Sequence, residues 1–277
     1  MAGRSNFKRV LVGLHQHSAR HGLQLAINVA VLLRLDLCGF FVKEESLGRL
    51  AALPFAREYR PLGGGWRPID LDGLSREVEV AANTAQRLFD NSVKGLGLTC
   101  QFEVVSGSLP EKLALFSRDG DIVIVCEPTG SSKLSMPSSP SLVEAAFRSA
   151  AAVMLVPPGV QWRPGPIVAV VTRPDDATIE IAAGIARSAG EEMVIVEAFR
   201  SSPETPTLAE RLEARPHSKQ LRACPTLLDP SGICASLCEL RERLVVIEQG
   251  AVDRSIPALL ASSRHVPVLI ADGASSA

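Results

Sequence analysis

Three histidines fall close together near the start of the chain: His15, His17 and His21. His17 and His21 are four apart, one turn of a helix if the helix has begun there. Far downstream, Cys126 and Glu127 close an apolar run. Imidazole, thiolate and carboxylate are ligands of zinc and copper, so His15, His17 and Cys126 form one candidate metal or thiol site. A cysteine activated by a histidine would also be a nucleophile, with Cys126 and His15 as the pair. No known nucleophile signature surrounds them. The competing reading makes the histidines solvated turn residues and Cys126 a core thiol. The six cysteines (38, 100, 126, 224, 234 and 238) show no C-x-x-C spacing. Cys234 and Cys238 lie one helical turn apart, with no second ligand pair near them in sequence. No catalytic residue and no metal ligand is assigned on this basis.

Two irregular stretches could also carry chemistry. The segment from Glu127 to Pro140 holds serines at 131, 132, 135, 138 and 139. It follows an apolar strand, and α/β sheets bind ligands beyond strand C-termini. It reads as a phosphate cradle, a phosphorylation site or a linker. The segment from Glu44 to Leu74 holds glycines 63–65, prolines 54, 61 and 68, and Trp66 beside Arg67. A loop of that length is uncommon in a compact domain, and it reads as a lid, a partner-docking loop or a tolerated insertion.

The elements that must position these residues come twice. Val10–Leu14 is a short apolar run, followed by a helical pattern from Ser18 to Leu33 and a second run at Leu37–Val42. Ile167–Val171, a helix over Asp175–Ala189 and a run at Met193–Phe199 repeat that order. Asp121–Cys126 and Leu244–Ile247 are matching late strands. Each precedes a helix, Ser141–Ala150 and Asp253–Ser263 respectively. Each copy closes on an apolar run that ends in glycine, at 153–159 and 267–273. Between the landmarks, helices at Ser75–Lys94 and Pro110–Ser117 flank a strand at Leu98–Val105. In the second copy a helix at Thr205–Arg215, a strand at Lys219–Leu227 and a helix at Ser231–Arg241 take those places. Runs apolar at every position suit strands buried on both faces, and strand–helix alternation gives an α/β fold with a parallel sheet. The expectation is five strands per copy, with a boundary near the prolines and glycines of 157–166.

Composition removes several function classes. The 277 residues carry 29 basic and 30 acidic side chains, and aromatics make up only 4%. Residues 1–160 hold 17 basic and 15 acidic groups, residues 161–277 hold 12 and 15, so neither half is a polyelectrolyte. Neither the counterion release nor the stacking platforms of a nucleic-acid binder are supplied. No apolar stretch is long enough to span a bilayer, because Asn28, Arg34 and Asp36 break the longest one. The sequence is therefore read as cytoplasmic, with no nucleic-acid and no membrane partner.

The opening RVLVGLHQHS, the strand DIVIV, the small-residue loop after it, the amphipathic helix and the closing VMLVPP together resemble the universal stress protein family, in two tandem copies. The resemblance implies two Rossmann-like domains of the adenine nucleotide alpha hydrolase type, residues 1–160 and 161–277. Each would be a five-stranded parallel sheet of order 3-2-1-4-5 with helices on both faces. The copies would pair through their last strands into a pseudo-dimer within one chain, with further homodimerisation open. Many members bind ATP through a loop written G-x2-G-x9-G-S/T. Here it reads Glu127-x2-Gly130-x9-Pro140-Ser141. Glu127 would set a carboxylate near phosphate, Pro140 removes a backbone donor, and the family's acidic residue at the end of the first strand becomes His15. The positions carried over as nucleotide-lining are Leu14, His15, Val42, Gly130, Ser131, Ser141 and Leu142. In the second copy only Gln249–Val252 connect the late strand to its helix, too short for the nine-residue span, and Thr172 stands at the end of the first strand. The resemblance implies a non-catalytic stress-response binding or regulatory protein whose nucleotide binding is weak or lost. No cofactor is assigned. ATP or another adenine nucleotide in the first copy, a small-molecule ligand, a protein partner, and the site on His15, His17 and Cys126 stay open as alternatives.

Overall fold

A computed structural model describes residues 7–14, 19–44, 49, 53–60, 65–126, 144, 146–148, 151–160, 162–173, 176–198, 218–223, 230–250, 253 and 255–271. The first half runs β1 (Arg9–Leu14), α1 (Ala19–Leu33), β2 (Asp36–Glu44), β3 (Arg57–Arg60), β4 (Gly65–Pro68), α2 (Leu71–Val93), β5 (Cys100–Gly107), α3 (Leu109–Phe116), β6 (Asp121–Cys126) and β7 (Ala152–Val156). The second runs β8 (Ile167–Val171), α4 (Thr178–Ala189), β9 (Met193–Glu197), β10 (Ser218–Ala223), α5 (Pro230–Ser236), β11 (Leu244–Glu248), α6 (Ser255–Arg264) and β12 (Val268–Ala271).

Ten of these strands form one sheet, in the order β10-β9-β8-β11-β12-β7-β6-β1-β2-β5. Within each half the order is 3-2-1-4-5 and every pairing is parallel, as expected. The two five-stranded sheets are not separate. β12 pairs with β7 antiparallel, with Leu269 opposite Met154.

Why these strands sit centrally is plain from their composition. β7, β8, β11 and β12 are buried at every position. A strand with no polar face needs cover on both sides, and helices supply it. On one face α1, α2 and α4 lie over Val10, Val12, Ile122, Ala169 and Ile195. On the other, α3, α5 and α6 lie over Leu11, Val123, Val168, Val245 and Ile270. α1 of the first half and α4 of the second touch each other across the joint.

Local chemistry sets the helix ends. Asp70 accepts the Gly73 N–H at 2.9 Å and starts α2, four residues earlier than the sequence pattern suggested. Gly190 stops α4 in the left-handed region, its N–H returning to the carbonyls of Ala186 and Arg187. At the lower edge, Arg9 joins β1 to β6 with two hydrogen bonds to Asp121, at 3.1 and 2.6 Å, and one to the Phe116 carbonyl at 2.8 Å.

Three expectations need correction. The segment from Glu44 to Leu74 is not structureless: β3 and β4 form an antiparallel hairpin with Tyr59 opposite Trp66. α4 begins at Thr178 rather than Asp175: Ala177 is its N-cap, and Asp176 stands before the helix with its carboxylate on the Thr178 N–H. α5 ends at Ser236 rather than Arg241, and the chain after it continues in turns, with the Leu240 N–H donating to the Leu237 carbonyl at 2.8 Å. The helix expected at Thr205–Arg215, and the serine-rich loop from 127 to 140, lie outside the described residues.

Candidate functional site

In an open α/β sheet the ligand crevice lies beyond strand C-termini, where the strand order reverses. This chain has two such points, between β1 and β6 and between β8 and β11.

At the first point, Leu14 ends β1, with Phe41 opposite it on β2 and Val42 one step further on. Both Leu14 and Val42 are buried. Leu14 belongs to the α1 face and Val42 to the α3 face, so the sheet brings their backbones to one edge and their side chains to opposite faces. His15, Gly130, Ser131, Ser141 and Leu142 lie outside the described residues, as do His17, Glu127 and Pro140.

Cys126 closes β6 at the same edge, opposite Val156. Its Sγ lies against Gly22 of α1, where an added Cβ would come within 2.9 Å. The glycine lets the helix seat on the strand end. Burial among apolar groups pushes the thiol up to about 12. A thiol that holds its proton is a poor nucleophile and must lose it before it can ligate a metal. Among the described residues no three His, Cys, Asp or Glu side chains gather as a metal site.

The described residues at the second point show a different chemistry. Asp176 is 4% exposed. One carboxylate oxygen accepts the Thr178 N–H at 2.9 Å. The other accepts the Thr172 N–H at 2.8 Å and the Thr172 hydroxyl at 3.2 Å. Helix N-termini attract anions through free N–H groups and the helix dipole. At α4 the chain supplies that anion itself. Asp253 does the same for α6, accepting the Ser255 N–H at 2.8 Å and its hydroxyl at 2.6 Å. Those hydrogen bonds hold its carboxyl below the usual range.

Glu248, buried at the end of β11, takes a hydrogen bond from the Arg173 guanidinium. Glu197 ends β9, two strands away across β8, and burial raises its carboxyl. The Thr178 hydroxyl is buried with no hydrogen-bond partner among the described residues. A cavity of about 330 Å³ opens here, lined by Phe147, Glu248, Gln249, Gly250, Asp253, Pro257 and Ile270. Phe147 belongs to the first half. It precedes β7, and the antiparallel joint carries the beginning of β7 to the end of β12.

The sequence reading identified Thr172 but missed Asp176 and Glu248. Asp176 follows Pro174 and Asp175, a run that reads equally as a turn. The available signal was an Asp two residues before a threonine that opens an apolar helix.

No family model matches the chain, and no curated protein matches it. Solved structures do. A universal stress protein from Archaeoglobus fulgidus DSM 4304 superposes with a TM-score of 0.61 at 15% identity, covering 98% of each chain. The fold is that of the universal stress proteins. A functionally unknown protein from Pseudomonas aeruginosa PAO1 matches with a TM-score of 0.52 at 16% identity, covering 96% of this chain and 92% of that one. The cytoplasmic domain of a prokaryotic cation chloride cotransporter matches with a TM-score of 0.52 at 10% identity, covering 98% and 97%. The universal stress fold thus spans both halves of this chain. No helix among the described residues is long and apolar enough to cross a membrane.

Proposed function

We propose that this is a non-catalytic binding or regulatory protein of the universal stress type, acting in the cytoplasm, in which nucleotide binding is weak or lost. Residues 1–160 and 161–277 are its two domains. They act as an intramolecular pseudo-dimer joined at β7 and β12, with the second as permanent partner of the first. The observation that carries this reading is Asp253. It stands at the N-terminus of α6, the helix that follows the late strand of the second half, and already accepts the Ser255 N–H there, while Glu248 at the end of β11 lines the same cavity. A polyphosphate there would meet like charge and find the Ser255 N–H already taken. In the first half, Glu127 and Pro140 replace two of the three glycines of the phosphate loop, and Gly130 keeps the third.

ATP or another adenine nucleotide in the first half, lined by Leu14, His15, Val42, Gly130, Ser131, Ser141 and Leu142, is the competing reading. The metal or thiol site on His15, His17 and Cys126 is a further competing reading, and the burial that pushes the Cys126 thiol up argues against it as a free nucleophile.

The test is direct. Freshly purified protein is denatured and the supernatant examined by mass spectrometry for nucleotides and by elemental analysis for metals. A thermal-shift titration with ATP runs alongside. A micromolar site would gain about 4 kcal/mol at 1 mM ATP. The expected result is no stoichiometric nucleotide, well under one metal per chain, and no shift. A bound adenine nucleotide or a saturable shift would overturn the proposal.

A further inference from the structure

The chain between α5 and β11 folds around one arginine. Arg264, at the end of α6, donates through Nη2 to the carbonyls of Leu237 at 2.8 Å and Leu240 at 3.0 Å, and through Nε to Glu242 at 2.8 Å. Ile233 and Leu237 are fully buried and turn one side of this segment toward the core. Cys234 and Cys238 follow them by one residue each. They lie along the neighbouring stripe, one turn apart, where the segment meets solvent. Cys234 is half-buried, Cys238 is exposed, and both are thiols rather than disulfides.

Two observations bring the sulfurs to one place. The backbone tightens past Ser236. The Leu237 N–H is shared between the carbonyls of Ile233 and Cys234, both at 3.2 Å, and the Cys238 N–H reaches the Ala235 carbonyl at 3.2 Å. Cys238 is thereby held on the turn next to Cys234 instead of leaving with the chain. The second observation is electrostatic. Hydrogen bonding to Glu242 holds the Arg264 guanidinium above its ordinary value, and Cys234 and Cys238 both act on it in the same direction. Both sulfurs therefore neighbour one side chain.

From this arrangement we infer that Cys234 and Cys238 are a peroxide-responsive dithiol. Cys238, the exposed sulfur, attacks the O–O bond of hydrogen peroxide as its thiolate. It takes one oxygen as a sulfenic acid, and the other leaves as water. The Cys234 sulfur then attacks the Cys238 sulfur, the S–O bond breaks, and a second water leaves. Two thiols and one hydrogen peroxide give one disulfide and two waters, with two electrons passing from the sulfurs to oxygen. Metal capture is the competing use of two thiols. Two sulfurs alone leave a zinc ion half-ligated, and among the described residues no third His, Cys, Asp or Glu joins them. Closing the bond works against the fold. Neighbours one turn apart on a helix hold their Cβ atoms about 5–6 Å apart, whereas a disulfide needs about 3.5–4.5 Å. The turn must tighten, and the Leu237 and Leu240 carbonyls that hold Arg264 move with it. A strained, exposed disulfide is readily reduced, which makes it a reversible mark and not a permanent staple. The pair lies at the N-terminal end of β11, opposite the crevice at its C-terminal end, so it stands whether or not a nucleotide binds.

Cys224 shares the tryptic segment 223–241 with both cysteines, so the bridge is read in the full-length Cys224→Ser protein beside the parent. The reduced protein is exposed to a small excess of hydrogen peroxide and the remaining thiols are blocked with iodoacetamide. The digest is mapped by mass without reductant. The expected result is a segment lighter by two hydrogens and carrying no alkyl group, returned to two alkylated cysteines by dithiothreitol. Cys238→Ser, made on an exposed position, should abolish the closed form while leaving the thermal midpoint of the reduced protein unchanged. Cys234→Ser should abolish it as well. In the parent, oxidation should shift the midpoint reversibly, and the same treatment should not shift Cys238→Ser. Retention of two alkylatable thiols overturns the proposal, as does oxidation of Cys238 alone to sulfinic acid. A bridge between two chains, or in the parent a bridge from Cys224, overturns it too.

Discussion

Asp176 and Thr178 are two residues apart, and the carboxylate of the first accepts the backbone N–H of the second at 2.9 Å. An internal anion thus sits just before the first turn of α4, beside the C-terminal end of β8.

Removing that anion should expose the terminus. Asp176→Ala breaks hydrogen bonds to Thr178 and Thr172 in a buried setting, and the expected loss is about 2–3 kcal/mol. Urea denaturation measures it. The vacated turn should also gain a response that the parent lacks: a rise in midpoint with sulfate larger than sulfate gives the parent protein. An unchanged sulfate response would show that the terminus is not an anion position.

Gly22 and Cys126 give a prediction of sign. Gly to Ala in a helix ordinarily stabilises by up to about 1 kcal/mol. Here the new Cβ would lie 2.9 Å from the Cys126 sulfur. Gly22→Ala should therefore destabilise, by about 1–3 kcal/mol. In a Cys126→Ala background the same change should cost much less. A double-mutant cycle reads the coupling, and additivity would rule the contact out.

The state of Cys126 sets a pH dependence. Its thiol is pushed from 9.0 up to about 12 by burial. Between these values the folded chain keeps a proton that the unfolded chain releases, so stability falls as pH rises through that window. Below pH 9 the group contributes no slope. Alkylation by iodoacetamide at pH 8 should leave Cys126 unmodified in the native protein while exposed Cys238 reacts. Peptide mass mapping distinguishes the two, and rapid labelling of Cys126 would contradict the buried, protonated thiol.

Arg9 and Asp121 tie the lower edge of the first half together. Asp121 is buried, and Arg9→Ala would leave its carboxylate without the guanidinium that holds it at 2.6 Å. The expected cost is about 3 kcal/mol. Arg9→Ala/Asp121→Leu should recover part of it, since the penalty lies in the orphaned charge. Guanidinium denaturation curves check both variants.

The parallel core was legible because its signal is local and unbroken. Runs such as Val153–Val156 and Leu244–Ile247 have no polar position, and only a strand covered on both faces accommodates that. The duplicated order pointed to two α/β copies, and the resemblance to the universal stress proteins implied the strand order within each. The hairpin was hidden because Arg57-Glu58-Tyr59-Arg60 carries no apolar alternation and three glycines precede Trp66. Its pairing depends on a partner strand that has no sequence mark. Asp176 was hidden for another reason. Its role comes from Thr172, which ends a different element, and that meeting is made by the crossover from β8 to α4. Leu14 and Val42 come to one edge of the sheet, yet strand alternation sends their side chains to opposite faces.

The antiparallel pairing of β7 with β12 has one more consequence. It turns the second half's strands against the first half's, so the two crevices open on opposite rims of one sheet. No single small molecule can touch both. Any occupants would bind with independent stoichiometry and a Hill coefficient near one. Whatever one rim senses could reach the other only as a change in strain along the two central strands, with β7 running beneath one crevice and β12 beneath the other.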